Sequence, residues 1–516
     1  MILADFILSH DGDDLASLAL ARGRYGAEVP DFDLALTTLE VRRKLRDKVP
    51  EWYAVPSLVY PLRVSGEQCS STATATYKAH VAMAEGIPPE TVASRPLPST
   101  SLTGPSFLQG RGWPWVSGGM PSAIADLTGG LGVDSWAFSK VFGQVLYNEM
   151  RPELADAARH NFRELGVTNI TVRNHALVPS TLIPGSPTPG SLIPGFDPGS
   201  LIPGPDPGSP ISGSLIPGPA PGSPTPGSLI PGSDPGSPAA TVSRILGDFR
   251  PDVIFLDPAR RAADGRKVFR LEDCEPDVLQ LLPELLAACP KLLLKLSPMA
   301  DITLVCKQLG CVREVHIVSA DGECKELLLL LERGWTGPHT LTIVEDGAVM
   351  GLGAEAPEPS LRDPSHALPL RGRLWAPPSY RAEGGHGFGS LCPQSIKILF
   401  EPGKAMMKAG AFELPCTFGL SKLGRHTHLY VGDEVSEELR PFGKVFEIQE
   451  VVPLNNRTVK DIGKRYPKAD VTARNIPLTS DQLRKKLGVT DGGPVHIFGV
   501  HIDTLSANYL LLTIPC

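Results

Sequence analysis

The sequence predicts an α/β protein: a mostly parallel sheet with intervening helices, a helical N-terminal region and a small α+β C-terminal domain. Three observations lead to this prediction. Between residues 121 and 333 short apolar segments alternate with helical ones, as in parallel β-α-β units. Residues 1–120 carry helical patterns followed by a connector. The 516-residue chain is 42% hydrophobic, which is enough for a buried core.

The N-terminal region is expected to hold two clear helices. Asp31 is a plausible N-cap for a helix over 32–48, where leucines and a valine form an apolar stripe. A second helix is expected from about 71 to 84. Residues 86–120 are rich in Pro, Ser and Gly, which indicates a connector to the next domain.

The α/β region is expected to end in an antiparallel pair. Asp321-Gly322 separates the apolar segments 312–318 and 326–331, which is a hairpin signal. Before it, the pattern predicts strands over 124–127, 145–148, 170–173, 253–256 and 292–296, and helices over 133–142, 152–165, 276–288 and 299–309.

A low-complexity tract interrupts this domain at about 180–240. Pro and Gly make up about half of residues 184–238, and Leu-Ile-Pro-Gly recurs at irregular spacing. Pro removes backbone donors and Gly raises the entropy cost of ordering, so we interpret the tract as a disordered insertion. Residues 334–394 are interpreted as an irregular linker, and 395–516 as the C-terminal domain.

Composition excludes several classes of protein. The formal net charge of -7 argues against a generally basic nucleic-acid-binding coat. The nine cysteines form no CxxC pair, and no histidines and acids have ligand spacing, so reduced thiols, a cytoplasmic protein and no metal are expected. Neither a secretory signal nor a membrane span is predicted. Nothing in the sequence indicates an oligomeric state.

The strongest site pattern is a glycine-rich turn between the first predicted strand and its helix. Such glycines let backbone amides at a helix N-terminus approach a ligand closely. No Gly-Lys-Ser/Thr follows, which excludes a Walker loop, and the third small residue of the dinucleotide fingerprint would be Ser135. The turn reads Asp126-Leu127-Thr128-Gly129-Gly130-Leu131-Gly132.

Two further acids are predicted at the same edge of the sheet. Glu149 follows the second strand, and Asp257 follows the strand 253–256. Ligands of open α/β sheets bind outside the carboxyl ends of the strands, and a carboxylate such as Glu149 can accept both hydroxyls of a ribose. Asp257, stiffened by Pro258, is suited to contact a substrate.

Together these residues resemble the class I S-adenosylmethionine-dependent methyltransferases, over roughly 121–333 without the repeat tract. Other segments are similar to a bacterial subfamily with a C-terminal THUMP-like domain, a type of module that binds RNA. The resemblance implies a Rossmann-like sheet closed by an antiparallel strand. Those segments are Glu67-Gln-Cys-Ser-Ser, Lys295-Leu-Ser-Pro, Glu323-Cys-Lys-Glu-Leu, Thr472-Ala-Arg-Asn-Ile-Pro and Leu483-Arg-Lys-Lys-Leu.

The resemblance also implies roles for individual residues. Asp126, Thr128 and the glycines 129, 130 and 132 would hold the methionine end of S-adenosylmethionine, and Glu149 its ribose. Asn174 stands where an acid often contacts the adenine amine, and Thr128 replaces the first glycine of the motif.

Asp257 and Pro258 match the loop that holds the target amine or ring, with Arg260 and Arg261 at the mouth of the site. No aromatic residue follows to stack a flipped base. Methylation of a ring carbon would need a cysteine nucleophile, for which Cys274, expected at the start of a helix, is a candidate.

A basic segment in the C-terminal region is the candidate RNA footprint. Nine basic and three acidic side chains lie between residues 457 and 486. We expect Arg457, Arg474, Arg484, Lys485 and Lys486 to contact RNA.

The function predicted from the sequence is methyl transfer from S-adenosylmethionine to RNA, with ribosomal or transfer RNA favoured. An NAD(P)-dependent oxidoreductase stays open, because Glu149 also suits the ribose of a dinucleotide. A non-catalytic RNA-binding protein that retains a methyltransferase fold is the third possibility.

Overall fold

The computed structural model describes residues 3–25, 29, 31–83, 122–182, 239–260, 270–353 and 396–516. The chain forms two compact units, the first from the described residues of 1–75, 121–261 and 271–292, and the second from the remainder. The Pro/Gly tract 184–238, the connector 86–120 and residues 354–394 of the expected linker lie outside the described residues.

The N-terminal region is helical, as expected. Its longest helix begins where the sequence predicts, because the Asp31 side chain accepts a hydrogen bond from the Leu34 N–H at 3.0 Å and so caps the first turn. The helices are α1 (Leu3–His10), α2 (Leu15–Leu20), α3 (Arg22–Tyr25), α4 (Phe32–Lys48), α5 (Pro50–Tyr53), α6 (Arg63–Gln68) and α7 (Thr72–Met83).

The first unit contains four parallel strands in the order β6-β1-β2-β3. All four residues of β1 are buried, which is typical of a central strand covered on both faces. The elements are β1 (Ala123–Asp126), α8 (Val133–Ser139), β2 (Gln144–Asn148), α9 (Pro152–Glu164), β3 (Ile170–Arg173), β4 (Ala176–Leu177), β5 (Ala239–Ala240), α10 (Val242–Leu246), β6 (Val253–Leu256), β7 (Ala259–Arg260), β8 (Cys274–Glu275) and α11 (Val278–Ala288).

Within this unit the N-terminal helical region packs directly on α8 and α9. The Asn161 side chain exchanges two hydrogen bonds of 2.9 Å with the backbone of Val59. The Ser70 hydroxyl donates to Asp134 in the first turn of α8 at 2.9 Å. The region therefore braces the helix that follows the glycine-rich turn.

The second unit contains the antiparallel pair predicted from the sequence. Asp321 and Gly322 have φ values of 55° and 71°, the left-handed conformation that both central residues of a type I′ turn require. In α7, Lys78 forms a buried ion pair with Glu326 at 2.9 Å. The elements are β9 (Lys291–Leu296, shared with the first unit), α12 (Ile302–Leu309), β10 (Val312–Ala320), β11 (Glu323–Glu332), β12 (Thr340–Glu345) and β13 (Ala348–Gly351).

Two local predictions were wrong. Residues 340–345 and 348–351 are not irregular: β12 pairs in parallel with β10, and β13 pairs antiparallel with β12. Residues 341–345 of β12 are buried, and that burial outweighs the nearby Gly and Pro residues. Cys274 does not open a helix but lies in β8, and α11 begins only at Val278.

The C-terminal region forms a seven-stranded sheet in the order β15-β16-β14-β17-β20-β19-β18. Helices α15 and α16 share one hydrophobic cluster with β18, β19 and β20. A Cβ at Gly463 would lie 1.9 Å from the Leu487 carbonyl oxygen, so only glycine allows this approach. The elements are β14 (Ile398–Pro402), α13 (Lys404–Lys408), α14 (Leu414–Thr417), β15 (Ser421–Lys422), β16 (Tyr430–Gly432), β17 (Gly443–Pro453), α15 (Asn456–Arg465), β18 (Asp470–Arg474), α16 (Ser480–Leu487), β19 (His496–Ile502) and β20 (Ala507–Pro515).

Among the described residues, no helix is long and apolar enough to cross a membrane.

Candidate functional site

The glycine-rich turn connects β1 to α8, as predicted. A Cβ at Gly129 would lie 2.1 Å from the Tyr147 ring, and one at Gly132 would lie 2.8 Å from the Phe162 ring, so packing requires glycine at both positions. Gly130 has a φ of 54°, and among the described residues the nearest atom to a Cβ there would be the Thr128 carbonyl oxygen, at 4.0 Å. No side chain of the part of the chain that the structure describes therefore covers this face of the turn, which leaves room there for a ligand.

Asp126 lies beneath the turn rather than on its surface. Its side chain is buried, accepting from the Thr128 N–H at 3.1 Å and from the Ser135 hydroxyl at 2.6 Å. Burial raises the pKa of Asp126 from its ordinary 3.8 to about 8, against the opposing effect of the two hydrogen bonds. Through these two hydrogen bonds Asp126 connects the turn to Ser135 in α8. Direct contact between Asp126 and a cofactor stays a prediction.

Glu149 follows β2, and its carboxylate reaches the glycine-rich turn. One oxygen accepts from the Gly130 N–H at 2.8 Å and the other from the Arg151 N–H at 2.9 Å. Each carboxylate oxygen can accept two hydrogen bonds, and the Met150 N–H is a third backbone donor to this carboxylate, so acceptor capacity for a ligand is reduced but not exhausted. Burial raises the pKa of Glu149 above its ordinary value, while these backbone amides lower it.

Two asparagines fix the loops around Glu149. The Asn174 side-chain nitrogen donates to the Glu149 carbonyl at 2.7 Å and to the Met150 carbonyl at 3.2 Å. The buried Asn148, which the sequence analysis did not single out, donates to the Leu127 and His175 carbonyls, both at 3.1 Å. Its place at the end of a buried strand, one residue before Glu149, was the available signal.

The third predicted acid, Asp257, joins the same group through its backbone. Its N–H donates to the Thr128 hydroxyl at 2.7 Å. Because Thr128 is also bonded to Asp126, and Gly130 to Glu149, the turn links all three predicted acids. The three acids follow strands whose ends lie side by side in the sheet, as was inferred from their positions after predicted strands.

The structure gives less support to the other positions that were predicted to be catalytic. Pro258 is buried, and Arg260 lies in β7, opposite Cys274 in β8. Arg261 lies outside the described residues. Cys274 is fully buried, and this burial does not support a role as a nucleophile, which needs access to the substrate.

The electrostatics of this site are acidic. Asp134 and Asp257 both act on Asp126 and contribute to its raised pKa. Asp134 also lies in the first turn of α8, where a dinucleotide site would receive a pyrophosphate. Negative charge at this helix N-terminus disfavours a phosphate and favours a ligand with a positive centre.

The C-terminal candidate RNA residues divide into two groups. Arg474 is paired with Glu401, its nitrogen 2.7 Å from the carboxylate, and Arg484 is paired with both Asp481 and Asp491. These two arginines, predicted to contact RNA, already neutralise acids of their own domain. The same holds for Arg465, which pairs with Glu450 and Asp461.

The second group consists of exposed cations. Across the described ranges they have no ion pair within 4.0 Å. Residues 457, 460 and 464 are spaced i, i+3 and i+7 and so lie on one face of α15. The helical spacing of Lys460 and Lys464 could have identified them from the sequence. We call Arg457, Lys460, Lys464, Lys468, Lys485 and Lys486 the free basic group.

A metal site has no support in the part of the chain that the structure describes. No three His, Cys, Asp or Glu side chains there are grouped closely enough to hold an ion.

Comparison with sequence families identifies the C-terminal region. Residues 443–512 match the THUMP domain-like family, and residues 399–439 match a ferredoxin-like domain. This chain carries a THUMP-like domain. The first match begins at the first residue of β17, so the boundary between the two matches coincides with a strand start. No curated protein has significant similarity to the chain.

Comparison with solved structures concerns the fold. The crystal structure of a candidate methyltransferase from Porphyromonas gingivalis W83 matches 100% of this chain and 97% of its own, with a TM-score of 0.62 and 23% identity. A precorrin-6y C5,15-methyltransferase from Geobacter metallireducens GS-15 covers 41% of this chain and 79% of its own, at 12% identity. Its TM-score of 0.20 is too low to add to the argument. The chain joins a methyltransferase fold to the THUMP-like domain, which confirms the predicted fold class and resemblance.

Proposed function

We propose that this protein is a cytoplasmic S-adenosylmethionine-dependent methyltransferase that acts on structured RNA, such as ribosomal or transfer RNA. The observation that carries the proposal is the contact between the Glu149 carboxylate and the Gly130 N–H at 2.8 Å. This contact joins the proposed ribose-binding carboxylate to a glycine turn that no described side chain covers.

The residues of this site fit S-adenosylmethionine. Beyond the backbone N–H groups of Gly130, Arg151 and Met150, the Glu149 carboxylate keeps acceptor capacity for the ribose. The Cα of Gly130 leaves room for the ligand over the turn. The surrounding acids favour the positive sulfonium and ammonium groups of this cofactor over the pyrophosphate of NAD(P).

The protein's own part in the reaction is positioning. The bound cofactor supplies an already activated methyl group, so the acceptor atom needs to be held in line with it. We assign this task to Asp257 and Pro258 at the end of β6. If the acceptor is an exocyclic amine, the Asp257 carboxylate or backbone carbonyl accepts a hydrogen bond from it and fixes its orientation.

RNA is proposed as the substrate because a THUMP-like domain carries the free basic group. Exposed lysines and arginines bind phosphates through charge, which positions an RNA without reading its sequence. Because the protein has a net negative charge, a local basic surface is needed to offset its repulsion of a polyanion such as RNA.

Methyl transfer from labelled S-adenosylmethionine to total RNA tests the proposal. RNA from cells that lack the gene is expected to accept label from the purified full chain, and nucleoside mass spectrometry then identifies the modified base. Stabilisation by S-adenosylhomocysteine, and none by NAD, is expected in a thermal shift assay. The reverse result would favour an oxidoreductase, and RNA binding without cofactor binding would favour a non-catalytic role.

A further inference from the structure

The side chain of Thr128 forms a direct link between the glycine-rich turn and Asp257. Its hydroxyl oxygen accepts the Asp257 N–H at 2.7 Å, across 129 positions of sequence. Thr128 is held in turn through its own N–H, which donates to the Asp126 carboxylate at 3.1 Å. One residue therefore connects the buried acid under the turn to the acid at the end of β6.

The hydroxyl stands where the strand ladder would continue. Strands β1 and β6 pair in parallel up to Asp126 and Phe255, and the Leu127 N–H still donates to the Phe255 carbonyl at 3.1 Å. In a continued parallel ladder the next bond would run from the Asp257 N–H to the Leu127 carbonyl.

The backbone bond is replaced because the Leu127 carbonyl points to another partner. It accepts from the Asn148 side chain at 3.1 Å, on the β2 side. The Thr128 hydroxyl supplies the acceptor for Asp257 instead. Glycine, alanine or valine at position 128 would leave the Asp257 N–H without this acceptor, and an unpaired backbone amide is costly.

We propose that Thr128 is a positioning residue, whose hydroxyl sets the place of Asp257 relative to the glycine turn and so aligns the methyl acceptor with the cofactor. The inference rests on the proposed function, in which the turn binds the cofactor and Asp257 orients the acceptor. A group that acts in this way affects the chemical step more than cofactor affinity.

The test compares Thr128→Val, which has nearly the same shape and no hydroxyl, with Thr128→Ser, which keeps the hydroxyl. Three quantities are measured on the full chain: hydrogen exchange of the Asp257 amide, the dissociation constant for S-adenosylhomocysteine, and kcat for methyl transfer to RNA. Pro258 has no amide, so Asp257 is the last exchanging amide of this strand segment.

In Thr128→Val we expect exchange at Asp257 to accelerate at least tenfold and kcat to fall at least tenfold, while the dissociation constant changes less than threefold. Thr128→Ser is expected to restore exchange and kcat to within threefold of the wild type. If the valine variant does not fold, Thr128→Ala carries the same expectations.

Unchanged exchange or unchanged kcat in the hydroxyl-free variant would overturn the proposal. So would equal losses of cofactor affinity and kcat in both variants, because that result describes general damage to the turn. If wild-type protein methylates no RNA, the proposed function fails instead, and the exchange experiment still decides whether the bond exists.

Discussion

At the ends of β1, β2 and β6, polar groups bind one another within the protein, whereas on α15 and α16 exposed cations face solvent. In the first region Asp126 and Glu149 have each oxygen bonded to a donor of the protein. In the second, the free basic group has no ion pair among the described residues. The first region therefore depends on fixed geometry and the second on summed charge, so substitutions in the two regions should have different effects.

The largest effect is expected at Asp257. Asp257→Ala should lower methyl transfer about 100-fold, because it removes a group that orients the acceptor, with binding of S-adenosylhomocysteine changed less than threefold. Rates of label transfer and calorimetric titration measure the two quantities. Asp248→Ala, an exposed acid in the same unit, is the matched control. Full activity in Asp257→Ala would remove Asp257 from the site.

The next effect is expected at Glu149. Glu149→Ala should weaken cofactor binding at least about tenfold, since it removes charge-assisted bonds to two hydroxyls and frees the Gly130 N–H. Glu153→Ala, in the first turn of α9, is the control for loss of a nearby acid. Calorimetry checks this result, and an unchanged dissociation constant would contradict the assignment of the ribose site.

In the basic region effects should be smaller and additive. Replacing Arg457, Lys460 and Lys464 by alanine should reduce the slope of log affinity for RNA against log salt by roughly 2 to 3. The control replaces the ion-paired Arg465, Arg474 and Arg484, which removes the same charge and should change the slope by less than about 1. Equal changes in both triple variants would show that total charge, not exposure, decides RNA affinity.

The buried Asp126 should make the stability of the cofactor-free protein depend on pH. Its pKa is raised to about 8, so between pH 4 and 8 the folded chain holds a proton that the unfolded chain releases. The free energy of unfolding should therefore fall as pH rises, by up to about 1.4 kcal/mol per pH unit from this group. Urea unfolding at pH 5 to 8 should give a flatter dependence for Asp126→Asn, and parallel curves would contradict the raised pKa.

The smallest effect is expected from deleting residues 184–238. Ala176, before the tract, pairs with Ala239, after it. The chain therefore returns beside the strand that precedes the tract. The entropy of closing a loop changes slowly with its length, and a short Gly-Ser replacement should change the midpoint of thermal unfolding by only a few degrees. A loss of cooperative unfolding would show that the tract is packed.

Much of the first unit could be predicted from the sequence. The strands over 170–173 and 253–256 have the predicted ends, and α4 has its predicted cap. These signals are local, since a short apolar segment or a capping side chain needs no distant partner. The strands β12 and β13 were missed because β12 is ordered by pairing with the distant β10, and β13 by pairing with β12, rather than by signals in their own flanks.

Local sequence patterns were enough to predict most elements of the first unit, the glycine turn, and the edge of the sheet where the three acids meet. The pairing of polar groups with one another is visible only in the folded chain: Asp257 bonds to Thr128, Arg474 to Glu401 and Arg484 to Asp491. The reason is physical. Periodicity and turn chemistry act over a few residues, whereas a hydrogen bond or ion pair between distant residues depends on where folding brings two side chains.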